Sequence, residues 1–246
     1  MQDYVPQHIP RKNLGLQIKS VFMIIIFFIL LLGVLIALAS ARKAEKCFDK
    51  ELYYFVYAQK KRSTIKQENI DLIKSLGGAG DVYFKSEKFY LIANVYLIED
   101  DADEIANGLT ENFEDSGVLT LTAPDIPDDV KKAIKEEPDA LRFFKFLQKT
   151  IEKTEILNID YMSGNVTEGK LLNELLEVKL EFEHFSKQIS SINEKLFDDI
   201  CSYINQIANE FTDFFDEFYY STKKCSLMCS LFVNLVLIKV NLFQNL

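Results

Sequence analysis

The order of apolar and polar positions divides the chain into three parts. Residues 21–39 form a run of 19 residues without a charge. Residues 52–122 alternate between strand-like and helix-like patterns, and beyond residue 127 apolar side chains recur only at helical spacing. This pattern predicts an α+β protein with an N-terminal transmembrane helix. The predicted segments are a cytoplasmic tail (1–20), an anchor (21–41), a sheet domain (47–124) and a helical domain (127–246).

The uncharged run Val21–Ala39 has the length of a membrane span, since a helix rises about 1.5 Å per residue and the hydrocarbon core is ~30 Å thick. The small residues of Ala39-Ser40-Ala41 allow a cleavable signal peptide as the alternative. The run exceeds the ~7–15 apolar residues usual in signal peptides, which favours an uncleaved anchor. We expect a single span in the cell membrane, with the N-terminus in the cytoplasm and the body outside.

Residues 52–122 predict a small sheet with two helices. Aromatic and β-branched runs mark strands, and apolar residues three and four apart mark helices. The expected elements are, in order, strand Leu52–Ala58, helix Ser63–Leu76, strand Asp81–Lys85, a turn at Ser86-Glu87, strand Phe89–Leu97, a helix from Asp100 or Asp101 to about Phe113, and strand Val118–Thr122. This βαββαβ order is that of a ferredoxin-like sheet with both helices on one face.

Three short motifs carry a family resemblance over roughly seventy residues. They are Phe55-Val56-Tyr57-Ala58 in the first strand, Leu76-Gly77-Gly78 before the second, and Tyr90–Tyr96 followed by Glu99-Asp100-Asp101-Ala102. Together they resemble the SPOR domain, a bacterial βαββαβ module that binds peptidoglycan stripped of its stem peptides and gathers at division septa. The resemblance implies a cell-envelope protein that binds glycan strands on the open face of its sheet, in division or sporulation.

The chain departs from the SPOR pattern at the residues that would meet the ligand. The family's exposed Gln and Arg correspond to Val56 and Tyr90, with Tyr54 and Ile92 beside them. Because sugar rings stack on aromatic side chains, these four residues are the candidate glycan-binding site. The alternative is that the protein's own helices cover this apolar face. The protein would then be a structural or protein-interaction module.

The region beyond residue 127 predicts long helices. Pro138 fits the first turn of one helix, and Thr167 can cap a longer one with apolar residues at heptad spacing from Leu171. The heptad pattern slips after Leu196 and continues to Phe218, which we interpret as a stutter. One reading is a coiled coil that makes a homodimeric membrane scaffold through the long helix. An antiparallel hairpin within one chain is favoured, because extra apolar positions widen the stripe.

The final stretch, Cys225–Leu246, has one charged residue, Lys239. It is long enough for a second membrane span. Its Ser and Asn residues fall in one narrow sector of a helix, however, and Lys in a bilayer is costly unless it is paired. We therefore favour a core helix of the helical bundle.

Charge and residue inventory narrow the function. The net charge is −9, and residues 1–46 carry +4, which leaves −13 on the rest. An acidic body repels phosphates, so nucleic acid is not an expected partner. The two histidines are far apart in sequence. The four cysteines include one C-x-x-x-C pair, Cys225 and Cys229, but no second Cys or His pair lies near it to complete a zinc site. We therefore predict no metal site, no cofactor and no enzymatic activity; the expected partners are the membrane, glycan strands and envelope proteins.

Overall fold

The computed structural model describes residues 46–59, 65–192 and 194–246. The predicted tail and anchor lie outside these residues. The described part contains four strands and seven helices. The strands are β1 (Glu51–Gln59), β2 (Asp81–Lys85), β3 (Lys88–Tyr96) and β4 (Asp115–Ala123). The helices are α1 (Gln67–Ser75), α2 (Glu99–Leu109), α3 (Asp128–Glu136), α4 (Pro138–Met162), α5 (Glu168–Ile189), α6 (Lys195–Phe218) and α7 (Lys224–Asn245).

The strands form one antiparallel sheet in the order β2-β3-β1-β4. Ser86 and Glu87 both have positive φ, 49° and 62°. This makes the two-residue connection between β2 and β3 a type I′ turn, whose twist matches that of a hairpin. The mixed α+β class expected from the sequence is confirmed, and the strands lie within a few residues of their expected bounds.

Both faces of the sheet are covered by helices. On one face, α1 and α2 pack on small and branched side chains that include Ala58, Leu91 and Ala93. On the other face, the helical half packs on Tyr53 and Phe55. Residues from Cys47 to Leu246 form one compact unit, in which the sheet and the helices after it share a hydrophobic core.

The expected long helix is in fact two helices, α5 and α6. Thr167 caps α5 as expected, its Oγ1 accepting a hydrogen bond from the Lys170 N–H at 3.4 Å. At the other end, the Ser190 and Ser191 hydroxyls donate to carbonyl oxygens three residues back, at 3.1 and 2.6 Å. Such bonds compete with helix continuation. The interpretation as a stutter is therefore wrong: the slip in the heptad pattern accompanies a change of helix.

The apolar seams of α5 and α6 face each other inside one chain. Phe182 of α5 and Phe211 of α6 are fully buried, and their rings stack with centroids 6.0 Å apart. The two helices thus form the hairpin that the broad apolar stripe favoured. The apolar seam residues of both helices are buried in the core of the same chain.

Helix α7 is the central helix of that core. By length and composition it is the one helix among the described residues that is long and apolar enough to cross a membrane, and 72% of its most apolar window is buried inside the protein. It packs on β3, β4, α4 and α6. Its polar edge is hydrogen-bonded within the chain: Ser226 donates to the Ala79 carbonyl at 3.4 Å, and Asn234 to Glu210 at 2.8 Å.

Candidate functional site

A β-bulge in β3 determines which way the predicted site residues point. Val56 pairs with Asn94, but the next residue of β1, Tyr57, pairs with Ile92. Ala93 is therefore an extra residue in β3. Side chains alternate along a strand, so one extra residue exchanges the two faces for everything beyond it.

The four candidate glycan-binding residues consequently lie on opposite faces. Tyr54 and Val56 belong to the cluster beneath α1 and α2, whereas Tyr90 and Ile92 belong to the core shared with the helical half. Val56 and Ile92 are both 0% exposed. The expectation that these residues share one open face is wrong for two reasons: the bulge divides them, and helices cover both faces.

The sheet face opposite α1 and α2, which a SPOR-like domain would leave open, is covered by α7. The Ser230 hydroxyl donates to Asp81 Oδ2 at 2.7 Å, at the start of the edge strand β2. Burial raises the pKa of the Asp81 carboxyl, while the Ser230 hydrogen bond and Lys74 oppose this effect. Polar contacts as well as apolar packing therefore fix α7 on the sheet.

A buried ion pair joins the first strand to the last helix. The Lys239 Nζ of α7 lies 2.7 Å from Glu51 Oε2 of β1 and also donates to Gln148 of α4. Lys239 is 1% exposed at its side chain and Glu51 is 24% exposed. The ammonium also lies 5.7 Å from the centre of the Tyr53 ring and 5.2 Å from that of Phe243, within the range of cation–π attraction.

Burial dominates the electrostatics of this ion pair. Desolvation lowers the pKa of the Lys239 ammonium, and the nearby Glu51 carboxylate opposes that shift by charge and hydrogen bonding. The Tyr53 hydroxyl donates to the same carboxylate, and burial raises the pKa of Tyr53. With its ammonium paired and enclosed, Lys239 is positioned to hold two elements together rather than to meet a substrate.

Part of this ion pair was visible in the sequence. Lys239 is the single charge in the apolar stretch Cys225–Leu246, which signals a need for a buried partner. Its partner lies 188 positions away in sequence. No local pattern distinguishes Glu51 from the other acidic residues, so sequence reasoning missed it.

The four cysteines are thiols without a disulfide. Cys229 is buried, and its sulfur lies 3.5 Å from the Asn158 amide nitrogen and 3.9 Å from the Met162 sulfur. Burial raises the pKa of Cys229 to about 12 and that of Cys47 to about 11. Because the thiolate is the reactive form, both thiols are poorly nucleophilic near neutral pH. Within the described residues, no group of three His, Cys, Asp or Glu side chains is arranged to hold a metal.

An exposed apolar surface lies at the β2–β3 hairpin. Val82, Phe84 and Phe89 are 49%, 57% and 58% exposed, and we call these three residues the hairpin patch. Phe84 and Phe89 pair across the hairpin with ring centroids 4.7 Å apart. Lys85 and Lys88 flank the turn beyond them. Exposed aromatic side chains on an edge strand are typical of interaction surfaces.

No protein-family model matches the chain, and no curated protein or solved structure shows significant similarity to it. The SPOR resemblance therefore stays a prediction from the sequence motifs. The functional argument below depends on the sequence and on the geometry of the described residues.

Proposed function

We propose that this chain is a membrane-anchored structural and protein-interaction module whose body lies outside the cytoplasm. The observation that carries the proposal is the cover on both sheet faces, with Val56 and Ile92 completely buried. A glycan strand needs an open surface with hydrogen-bonding groups, and neither face of this sheet presents one. The exposed apolar surface that we assign to a partner is the hairpin patch.

We infer a ferredoxin-like relationship for the sheet and its first two helices. It is supported by the βαββαβ order, the antiparallel strand order β2-β3-β1-β4, and the position of α1 and α2 on one face. In this proposal the helical half is an addition that closes the other face. The sheet then serves as a scaffold for the core and not as a binding platform.

The membrane location is proposed from the uncharged run of residues 21–39 and tested by labelling in cells. Ser86 lies in the exposed hairpin turn, so Ser86→Cys gives an accessible thiol in the body. The partly exposed Cys225 is replaced by Ser in the same chain to lower the background. We expect a membrane-impermeant maleimide to label Ser86→Cys in intact cells. Protection in intact cells, with labelling only after permeabilisation, would contradict an external body.

Glycan binding is tested by pull-down with amidase-treated peptidoglycan, using the full chain in detergent and a known SPOR domain as the positive control. We expect the SPOR domain to bind and this chain to stay in the supernatant. Specific retention of this chain would overturn the proposal and support the peptidoglycan binding that the SPOR resemblance implies.

A further inference from the structure

The outer edge of β2 exposes backbone hydrogen-bonding groups next to apolar side chains. In a hairpin with a two-residue turn, the residues next to the turn, Lys85 and Lys88, form a hydrogen-bonded pair. Such pairs alternate along the ladder, so the backbone N–H and C=O groups of Val82 and Phe84 point away from β3. The strand that bears these outward groups also carries two of the three residues of the hairpin patch.

The opposite edge of the sheet, β4, is contacted by helix α7. At β4, the Gln244 amide of α7 donates to the carbonyl oxygen of Thr122 at 3.4 Å. Helix α7 thus reaches β4 as well as β3. The outer edge of β2 carries half-exposed apolar side chains instead, which makes it the better candidate for pairing with another strand.

The β2 sequence Asp-Val-Tyr-Phe-Lys is complementary to itself when read in the opposite direction. In an antiparallel register centred on Tyr83, Asp81 faces Lys85 of the second copy, and Val82 faces Phe84. This register also aligns the hydrogen bonds, because Val82 and Phe84 carry the outward backbone groups. Asp81 and Lys85 are already bonded within their own chain, to the Ser230 hydroxyl at 2.7 Å and to the Thr120 carbonyl oxygen at 3.3 Å. The apolar pair of Val82 and Phe84 is therefore the cross-strand contact that stabilises this ladder.

We propose that the outer edge of β2 binds the same edge of a second copy of this chain, producing a two-fold dimer with a continuous eight-stranded sheet. The interface is self-complementary, as two-fold symmetry requires. It joins the hairpin patches of the two copies into one apolar strip. It does not use the helical seams of α5 and α6, which are buried in each chain. The proposal stands independently of the membrane location and of glycan binding.

The expected affinity is modest. A pairing of five-residue strands buries less than the ~1,600 Å² of a standard interface, so we expect a dissociation constant of about 10–100 μM in solution. Confinement of both copies to one membrane would raise their effective concentration. The lysines at the turn limit extension of the pairing beyond the strand.

The register is tested by cross-linking the full chain in detergent, with Cys225 replaced by Ser. In the proposed dimer, Tyr83 lies opposite Tyr83 of the second copy in a non-hydrogen-bonded pair. The Cα separation of such a pair is about 4.5 Å, which is compatible with a disulfide. We expect Tyr83→Cys to give a disulfide-linked dimer under mild oxidation. Phe84→Cys, which faces Val82 of the other copy, is the register control and should cross-link poorly.

A second measurement does not depend on replacing Tyr83, whose ring also packs on Phe55 with centroids 6.4 Å apart. Sedimentation of the wild-type chain should show a reversible dimer. Phe84→Lys should give a monomer with an unchanged melting temperature, because the side chain is exposed in the single chain and the new charge would lie against Val82 of the second copy. Tyr220→Lys alters an aromatic that is 90% exposed outside the sheet and should leave the dimer intact.

Three results would overturn the β2 dimer. The first is a wild-type chain that stays monomeric at a concentration several times the expected dissociation constant. The second is a folded Phe84→Lys variant that dimerises like the wild type, which would assign dimerisation to another surface. The third is equal cross-linking of Tyr83→Cys and Phe84→Cys, which would exclude the proposed register.

Discussion

We predict that removing Glu51 from its ion pair with Lys239 destabilises the protein more than removing Lys239 does. Glu51→Gln keeps the shape of the side chain and a hydrogen-bond acceptor but removes the negative charge. The Lys239 ammonium is then left without its anion at a side chain that is 1% exposed. Lys239→Met removes the positive charge instead. The Glu51 carboxylate that remains is 24% exposed and still accepts a hydrogen bond from Tyr53.

The magnitudes follow from this difference in exposure. Breaking a buried ion pair by removing one partner destabilises a protein by roughly 3–5 kcal/mol. We expect Glu51→Gln to fall in that range, which lowers the melting temperature of a body of this size by about 6–20 °C. Lys239→Met should destabilise by less, about 2–3 kcal/mol, because water reaches the remaining carboxylate. The double variant Glu51→Leu with Lys239→Met should recover most of the loss, since an apolar pair can replace a buried ion pair.

The assay is urea unfolding of the four proteins, followed by circular dichroism. The control is Glu136→Gln, which disrupts the exposed pair between Lys132 and Glu136, 4.0 Å apart. The side chains of that pair are 79% and 68% exposed. Such surface pairs contribute little, so we expect a change within about 0.5 kcal/mol.

The pH dependence gives an independent check on Lys239. The fold lowers the pKa of Lys239 from its ordinary value of 10.5. Between these two pKa values the unfolded chain binds more protons than the folded chain. The free energy of unfolding therefore rises with pH in this range. Loss of the Glu51 charge should lower this pKa further. The deficit of Glu51→Gln relative to the wild type should therefore shrink as the pH rises toward 10.5. A Glu51→Gln deficit below about 1 kcal/mol, or one that is constant with pH, would refute this account of the ion pair.

Three further predictions concern buried groups elsewhere. Asp81→Asn keeps a hydrogen-bond acceptor for Ser230 and removes the buried carboxylate. Because burial raises the pKa of Asp81, its ionisation disfavours the folded state above pH 3.8. We therefore expect a higher melting temperature of the variant at pH 7 and no gain below pH 3.8. Burial raises the pKa of Cys229 from 9.0 to about 12, so the unfolded chain loses this proton at a lower pH than the folded chain. The stability contributed by the buried thiol is therefore fully present below pH 9.0 and is lost as the pH rises toward 12. In a pH series of thermal melts, Cys229→Ala should show a smaller decline of the melting temperature over that range. Val56→Gln and Ile92→Gln should each destabilise by about 2–4 kcal/mol in urea unfolding, because an amide would enter a core without a partner; an unchanged midpoint would show that the site is open to solvent.

Most elements of the sheet could be predicted from the sequence, but the orientation of β3 could not. Leu91, Ile92, Ala93 and Val95 place apolar side chains at both odd and even positions of the run 91–95, because helices cover both faces. It therefore lacks the alternation that fixes which side chains face which layer. The extra residue at Ala93 has no signature in such a run. This extra residue separates the candidate site residues, and the cover by helices buries them, although the strand that carries Tyr90 and Ile92 was located correctly.

The helical half shows a similar limit. A heptad-like seam runs through α5 and resumes in α6, because both helices bury the same kind of stripe in the hairpin. Apolar spacing alone therefore favoured one long helix. The helix-ending signal was the pair Ser190-Ser191, whose hydroxyls return to the backbone. Such short polar side chains also occur inside helices, so the break becomes evident only when the two seams are seen to pack on each other.

The position of α7 has a consequence for the order of events in synthesis. This helix is the last of the described elements, yet it covers side chains of the first described strand, among them Tyr53, and is joined to Glu51. While the ribosome is still making residues 224–245, one face of the sheet has no cover, and the incomplete chain exposes an apolar surface that favours aggregation. Contacts so distant in sequence also slow the final docking step. The sheet and the helices before α7 are therefore expected to reach their stable packing only after residues 224–245 have been made.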